Sequence, residues 1–150
     1  MRIISAAVLT AALVAPFAVP ASAADLMMMR TTHQPVPSAT LPFCENPKVL
    51  AQVEDQFEYG APQMLKSDLA ITEFSDLFEK AYFAANEERP IERRYCQGEV
   101  QISTGERHTL YYVVEYPMGF ASIGWRAEGC VLGLDEWQVY GANCQSLRRF

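Results

Sequence analysis

Apolar and polar residues are arranged in three regimes along this chain. From Ile3 to Val19 nearly every residue is apolar and no polar face exists. From Val49 to Phe57 apolar residues recur every three or four positions: Val49, Leu50, Val53 and Phe57, with Lys48, Gln52, Glu54, Asp55 and Glu58 on the other faces. That is the period of an amphipathic helix. Beyond Arg94 the period shortens towards two, and β-branched and aromatic residues dominate, which is a strand signal.

The spacing and its punctuation predict a helix over residues 47–59. Asn46 is a good N-cap, and Pro47 stands at the first helical position, where a missing N–H costs nothing. Gly60 is read as the left-handed residue that ends the helix, and Pro62 as the block to its continuation. In the second half, residues 94–102 alternate, with Cys96, Gly98, Val100 and Ile102 on one face. Thr104-Gly105-Glu106 makes a turn, and residues 109–116 form the densest β run, so the two segments are expected to pair as a hairpin around Gly105. Residues 117–124 read as a loop. A third strand follows over 125–134, where Gly129 and Gly133 mark a bulge or a close backbone approach. After an Asp135-Glu136 turn, residues 137–140 are expected to form a short final strand. Residues 86–90 are a polar turn. Residues 69–83 read two ways: Ile71, Phe74, Phe78, Ala81 and Tyr82 have helical spacing with Thr72 as a cap, whereas both ends of the segment suit a strand.

The amino-terminal regime has the layout of a secretory signal. Arg2 supplies the positive start, the apolar stretch follows, and Pro20-Ala21-Ser22-Ala23-Ala24 offers small residues for cleavage. Residues 1–24 are therefore assigned to a signal peptide, with the working chain beginning near Ala24 or Asp25 in the periplasm or outside the cell. The stretch is too short, and too interrupted by Pro16 and Pro20, for a good membrane span, so no span is expected after its removal. Residues 25–42, with Pro35, Pro37 and Pro42 among polar residues, read as a flexible leader. Residues 43–150 then form a single domain whose order begins at Cys44. Met27-Met28-Met29 and His33 superficially suit a soft metal, but one short run on a mobile backbone sets no coordination geometry, and no metal site is expected.

Net charge is −6, with half the residues apolar. An acidic chain is a poor ligand for nucleic acid or an anionic membrane; its field favours a basic partner. The four cysteines, Cys44, Cys96, Cys130 and Cys144, admit three pairings if all are oxidised. Cys130–Cys144 is favoured because it closes a short loop around an expected hairpin, which leaves Cys44–Cys96 to tie the helical segment to the sheet. A zinc site would call for close pairs such as C-x-x-C, and the chain has none.

The residues Arg93-Arg94-Tyr95-Cys96, Tyr111-Tyr112-Val113-Val114-Glu115, Gly129-Cys130-Val131-Leu132-Gly133-Leu134-Asp135, Tyr140 and Cys144 resemble a group of small secreted alphaproteobacterial proteins of unknown function. Their shared pattern is R-R-Y-C, Y-Y-x-I-E, W-C-V-x-G-L-D and a closing Y-x-x-x-C. Gly129 stands where that pattern has Trp, so a packing position is altered. The resemblance spans about residues 44–144 and implies a shared fold and export rather than a reaction. It also implies a strand, irregular in form, for residues 69–83.

Candidate chemistry is sparse. His33 lies in the leader. His108, beside the hairpin turn and Arg107, reads as an exposed turn residue. No nucleophile elbow or phosphate-binding glycine motif occurs. Glu115 and Asp135 are the carboxylates on or beside predicted β structure that could serve a small carboxylate-based hydrolase; a surface glutamate paired with Arg94 or Arg126 across the sheet is the plainer role for Glu115. Aromatic residues are enriched at Tyr111, Tyr112, Tyr116, Phe120, Trp125, Trp137 and Tyr140, mostly as core. Phe120 and Trp125 flank a glycine-bearing loop and are the expected exposed pair, hence the candidate binding residues.

Together these features predict an α+β domain: the amino-terminal helix packed on a curved antiparallel sheet of about four strands, stapled by disulfides. Cystatin-like and NTF2-like folds share that build, an analogy of fold that carries no function. The expected role is a non-enzymatic binding or interaction module without a cofactor, its partner an envelope protein. The alternatives are an inhibitor of a basic envelope hydrolase such as lysozyme, and the carboxylate hydrolase.

Overall fold

The computed structural model describes residues 35–149. The expected signal segment, the Met27–Met29 run, His33 and Phe150 lie outside them. The described chain runs from helix α1 (Pro47–Met64) through strands β1 (Ile71–Phe83), β2 (Glu92–Ile102), β3 (Arg107–Tyr116) and β4 (Arg126–Val131). The strands form one antiparallel sheet in the order β1-β2-β3-β4, with α1 laid along it. The expected α+β architecture is what the chain adopts.

Helix α1 begins as its sequence predicts: Asn46 Oδ1 accepts the Lys48 N–H at 2.9 Å, and Pro47 opens the first turn. Its end is a correction. The helix continues past Gly60 and carries Pro62 inside its last turn. Pro62 removes the hydrogen bond to the carbonyl of Glu58, an exposed residue, while Ala61 beside it is fully buried; packing of that last turn outweighs the proline penalty. The left-handed residue that follows the helix is Lys66, φ 55°, rather than Gly60.

Strand β1 resolves the double reading of residues 69–83. It pairs with β2, but the register slips between Ile71 and Glu73, between Ser75 and Phe78, and between Glu79 and Ala81. Each irregularity of this kind inserts residues into one strand only. Residues on the helix-facing side are therefore three apart, Ile71, Phe74 and Leu77, where a regular strand would space them by two. Bulged strand and helix leave the same trace in sequence.

The sheet is packed on both faces. On one, Val49 and Val53 of α1 meet Cys96, Val100, Leu110, Tyr112, Val114 and Val131. On the other, Tyr95, Tyr111, Val113 and Cys130 are covered by Cys144 and Leu147 of the carboxyl-terminal segment. One disulfide serves each layer: Cys44–Cys96 on the helix side and Cys130–Cys144 on the other, the pairing expected from spacing. Gly129 lets the helix lie close, since a Cβ there would stand 2.6 Å from the Val53 Cγ1.

Strand β4 is an edge, yet two of its outward amides are satisfied by helix side chains. Gln52 Oε1 accepts the Ala127 N–H at 2.8 Å, and Gln56 Oε1 accepts the Gly129 N–H at 2.8 Å. Four residues of helix rise about 6 Å, and two residues of strand span nearly the same length, so glutamines at i and i+4 match alternate strand amides. The helix thereby covers the edge against another strand as far as Gly129.

Order starts before Cys44. Leu41 is buried, and residues 36–41 strap the sheet at the β1–β2 side. Beneath the strap, Arg94 is completely buried. Its Nη1 pairs with Glu79, its Nη2 donates to the Val36 carbonyl at 2.7 Å, and its guanidinium lies between the Phe43 and Tyr82 rings, 5.1 and 5.0 Å from their centroids. Its neighbour Arg93 points to the opposite face and meets Glu115, Nε to Oε1, at 2.5 Å. The partner of Glu115 is thus Arg93 and neither Arg94 nor Arg126.

Glu92 fastens the strap from below, accepting hydrogen bonds from Ser38, Thr40 and Tyr82. Burial disfavours its charge, but the Ser38, Thr40 and Tyr82 hydrogen bonds and the charge of Arg94 outweigh burial and hold its carboxyl below the ordinary glutamate value. A depressed carboxyl stabilises the fold at neutral pH, and that contribution disappears as pH falls through the lowered value. We expect urea midpoints to drop between neutral pH and about pH 3 by more in the wild type than in Glu92→Gln. Equal drops in both proteins would remove Glu92 from the acid response.

Candidate functional site

Two surface features hold groups with no structural employment. The first is the β3–β4 connection. Its backbone is closed on itself: the Met118 and Gly119 amides donate to the Gly124 carbonyl at 3.1 and 3.2 Å, and the Ile123 amide to Phe120 at 3.0 Å. Ala121 and Ser122 both take positive φ, 53° and 61°, conformations that cost non-glycine residues energy. Gly119 is required because a Cβ would sit 2.0 Å from the Ile123 carbonyl oxygen. This closed loop turns its apolar side chains outward. Phe120 is 96% exposed and Ile123 77%, with Met118 at 39%.

Of the two expected binding residues, the structure places Phe120 at the loop tip and Trp125 elsewhere. Trp125 is half-buried and packs against the helix-side core. A tryptophan next to the start of β4 has the core within reach, whereas a residue at the centre of the loop does not. Ile123 takes the place expected of Trp125; being a single apolar residue among Ala, Ser and Gly, it carried little signal.

The second feature is a groove of about 260 Å³ between the second half of α1 and residues 134–140. Helix and edge strand are stitched together as far as Gln56 and Gly129. Beyond that point Tyr59, Gly60 and Gln63 on the helix face Leu134, Trp137 and Val139 across a gap. Residues 137–140 are a correction: they form turns, not a final strand. Asp135 organises them by accepting the Val139 and Tyr140 amides at 2.9 and 3.0 Å, which spends these amides on a carboxylate instead of a strand partner. The Cys130–Cys144 disulfide consequently closes a turn-rich loop and not a hairpin.

The polar floor of the groove is closed internally. Gln56 Nε2 donates to the Gly129 carbonyl at 3.2 Å and to the Tyr140 hydroxyl at 2.8 Å. The Tyr140 hydroxyl donates to Glu128 Oε2 at 3.3 Å. Burial first, then the Glu128 charge, pushes the Tyr140 phenol up to about 12, so it stays a neutral donor. By contrast the rim is open: Tyr59 is 81% exposed, Trp137 64% and Val139 65%.

The two expected carboxylates are not brought together. Glu115 lies opposite Arg126 at the start of β4, and Asp135 lies beyond Val131 at its end. The chain folds back so that Asp135 Oδ2 stands 3.8 Å from Cys130 Sγ, and the four strand residues from Arg126 to Cys130 span roughly 13 Å, still beyond the spacing a carboxylate pair needs for glycoside hydrolysis. His108 is also a correction: it is half-buried, with Nδ1 3.1 Å from the Leu132 carbonyl oxygen. Among the described residues no cluster of His, Cys, Asp or Glu suits a metal ion, and no helix is long and apolar enough to cross a membrane.

No protein-family model, curated protein or solved structure matches the chain.

Proposed function

We propose that this protein is an exported binding module that engages a protein partner of the cell envelope through the loop at residues 117–124. The observation that carries the reading is a hydrogen-bonded loop presenting Phe120 almost fully, and Ile123 mostly, to solvent. Holding non-glycine residues at positive φ costs energy, and the side chains so displayed recover none of it within the chain. Exposed apolar groups on a shaped loop are what partner surfaces are made of. Two intramolecular disulfides fit an oxidising compartment, in keeping with the signal-like amino terminus.

The test separates binding from folding. Phe120→Ala is expected to shift the thermal midpoint by no more than a surface substitution does, about 0.5 kcal/mol or less in stability, while weakening capture of the partner from an envelope extract. Capture at low and high salt distinguishes the modes: an apolar contact survives salt, and a basic enzyme held by the acidic surface is released. A midpoint drop of core size in Phe120→Ala, or unchanged capture, removes the loop as the site.

A further inference from the structure

The groove beside α1 is independent of the loop and has its own chemistry. Two large aromatic rings, Tyr59 from the helix and Trp137 from the 134–140 loop, border it and are mostly exposed. Asp135 is its charged lining residue, and among the described residues no Lys or Arg lines it. The whole chain carries net charge −6. The hydrogen-bonding groups of the floor are already paired with one another: Gln56 with Gly129 and Tyr140, Tyr140 with Glu128, and Asp135 with two backbone amides.

Those observations restrict the occupant. A sugar or a primary amine seated on the floor brings hydroxyls or N–H donors whose free partners, the Tyr59 hydroxyl and the Gln63 amide, stand only at the exposed rim, and burying such donors unpaired is unfavourable. An anion would meet Asp135 with nothing to compensate it. A hydrocarbon would fit the walls but make no use of the negative charge. A quaternary ammonium group satisfies each condition: it is positively charged, has a methyl-covered apolar surface and has no N–H to satisfy. Aromatic faces attract such a group through their negative quadrupole. The volume is larger than the roughly 150 Å³ of an apolar cavity that accepts benzene, and so admits a trimethylammonium head with a short stem.

We propose that this groove is a binding site for a trimethylammonium group, held between Tyr59 and Trp137 above the charge of Asp135. Tyr59 and Trp137 supply the contact surface and the cation–π attraction. Asp135 contributes its field from within the loop it organises.

The experiment uses the folded, disulfide-bonded protein and follows the indole N–H resonances of its two tryptophans. Trp125 is half-buried against the core and serves as the internal control. Choline is titrated beside its neutral tert-butyl isostere, in which carbon replaces the charged nitrogen. The expected result is a saturable shift of Trp137 with Trp125 still, and an affinity for choline at least about threefold above that for the isostere. Tyr59→Ala, read at the Trp137 resonance, and Trp137→Ala, read by titration calorimetry because it lacks the reporting indole, are both at exposed positions and should each weaken choline binding by about threefold or more with the Trp125 resonance unmoved. Phosphatidylcholine vesicles form a second arm. A response to free choline identifies a soluble ligand, and a response to vesicles alone identifies a lipid headgroup; both support recognition of the trimethylammonium group. Equal affinity for choline and isostere would reduce the site to an apolar crevice and overturn the proposal. So would a silent Trp137 in both arms, or affinity unchanged in both variants.

Discussion

Replacing Arg94 by Ala is expected to destabilise the fold by about 3–5 kcal/mol, the cost of breaking a buried ion pair from one side. The guanidinium is completely buried and does three jobs at once. It neutralises Glu79, donates to the Val36 carbonyl and fills the space between Phe43 and Tyr82. Its removal leaves the Glu79 carboxylate buried without a counter-charge and unfastens the strap at residues 36–41. The double replacement Arg94→Met with Glu79→Leu should recover most of the loss, because well-packed apolar groups of similar volume replace a buried ion pair at little net cost. Urea unfolding of the three proteins checks both statements. A loss below about 1 kcal/mol for Arg94→Ala, the range of an exposed ion pair, would mean that the pair is solvated and the strap is held by other contacts.

Removing the Cys44–Cys96 disulfide should cost a similar amount, about 4 kcal/mol for a closed loop of this length under the chain-entropy account. The two cysteines are 52 residues apart in sequence. Both are buried in the helix-side core at 1% and 0% exposure, so a Cys44→Ala/Cys96→Ala protein loses packing as well as the cross-link. The Cys130–Cys144 bond spans 14 residues, and its loss should cost about 3 kcal/mol. The two losses should also differ in kind. The first should lower the stability of the whole domain. The second should release the 134–140 loop, and with it Trp137 and the groove wall, while the helix-side core remains intact. Thermal midpoints combined with the Trp137 indole resonance distinguish these outcomes. Identical spectra for both double variants would show that the 134–140 loop is held by Asp135 and the carboxyl-terminal segment without its disulfide.

The stability argument and the site argument meet at β4. Gln52 and Gln56 hold the helix to the strand edge, Gly129 lets it approach, and the groove opens where that stitching ends. The loop at residues 117–124 precedes the same strand. Both proposed sites are thus carried by a rigid core strand, while the side chains they display are unneeded by the core.

Local chemistry was enough to read several features from the chain. Asn46-Pro47 placed the start of α1 because capping is settled within one turn. The β2–β3 hairpin followed from an alternating run, a glycine turn and a β-branched run. The disulfide pairing followed from spacing, and the exposure of Phe120 from its small neighbours. Other features depended on contacts distant in sequence. Pro62 stays inside the helix because Ala61 is buried under it. Residues 71–83 are a strand whose bulges copy a helical period, a likeness that only pairing with β2 resolves. Residues 137–140 are turns because Asp135 captures their amides. Arg94, an ordinary alternating residue of a strand by pattern, is buried because Glu79, Val36 and two aromatic rings converge on it. The groove was illegible for the same reason: Tyr59 and Trp137 are 78 residues apart, and their juxtaposition depends on how far a helix and an edge strand run together before they part.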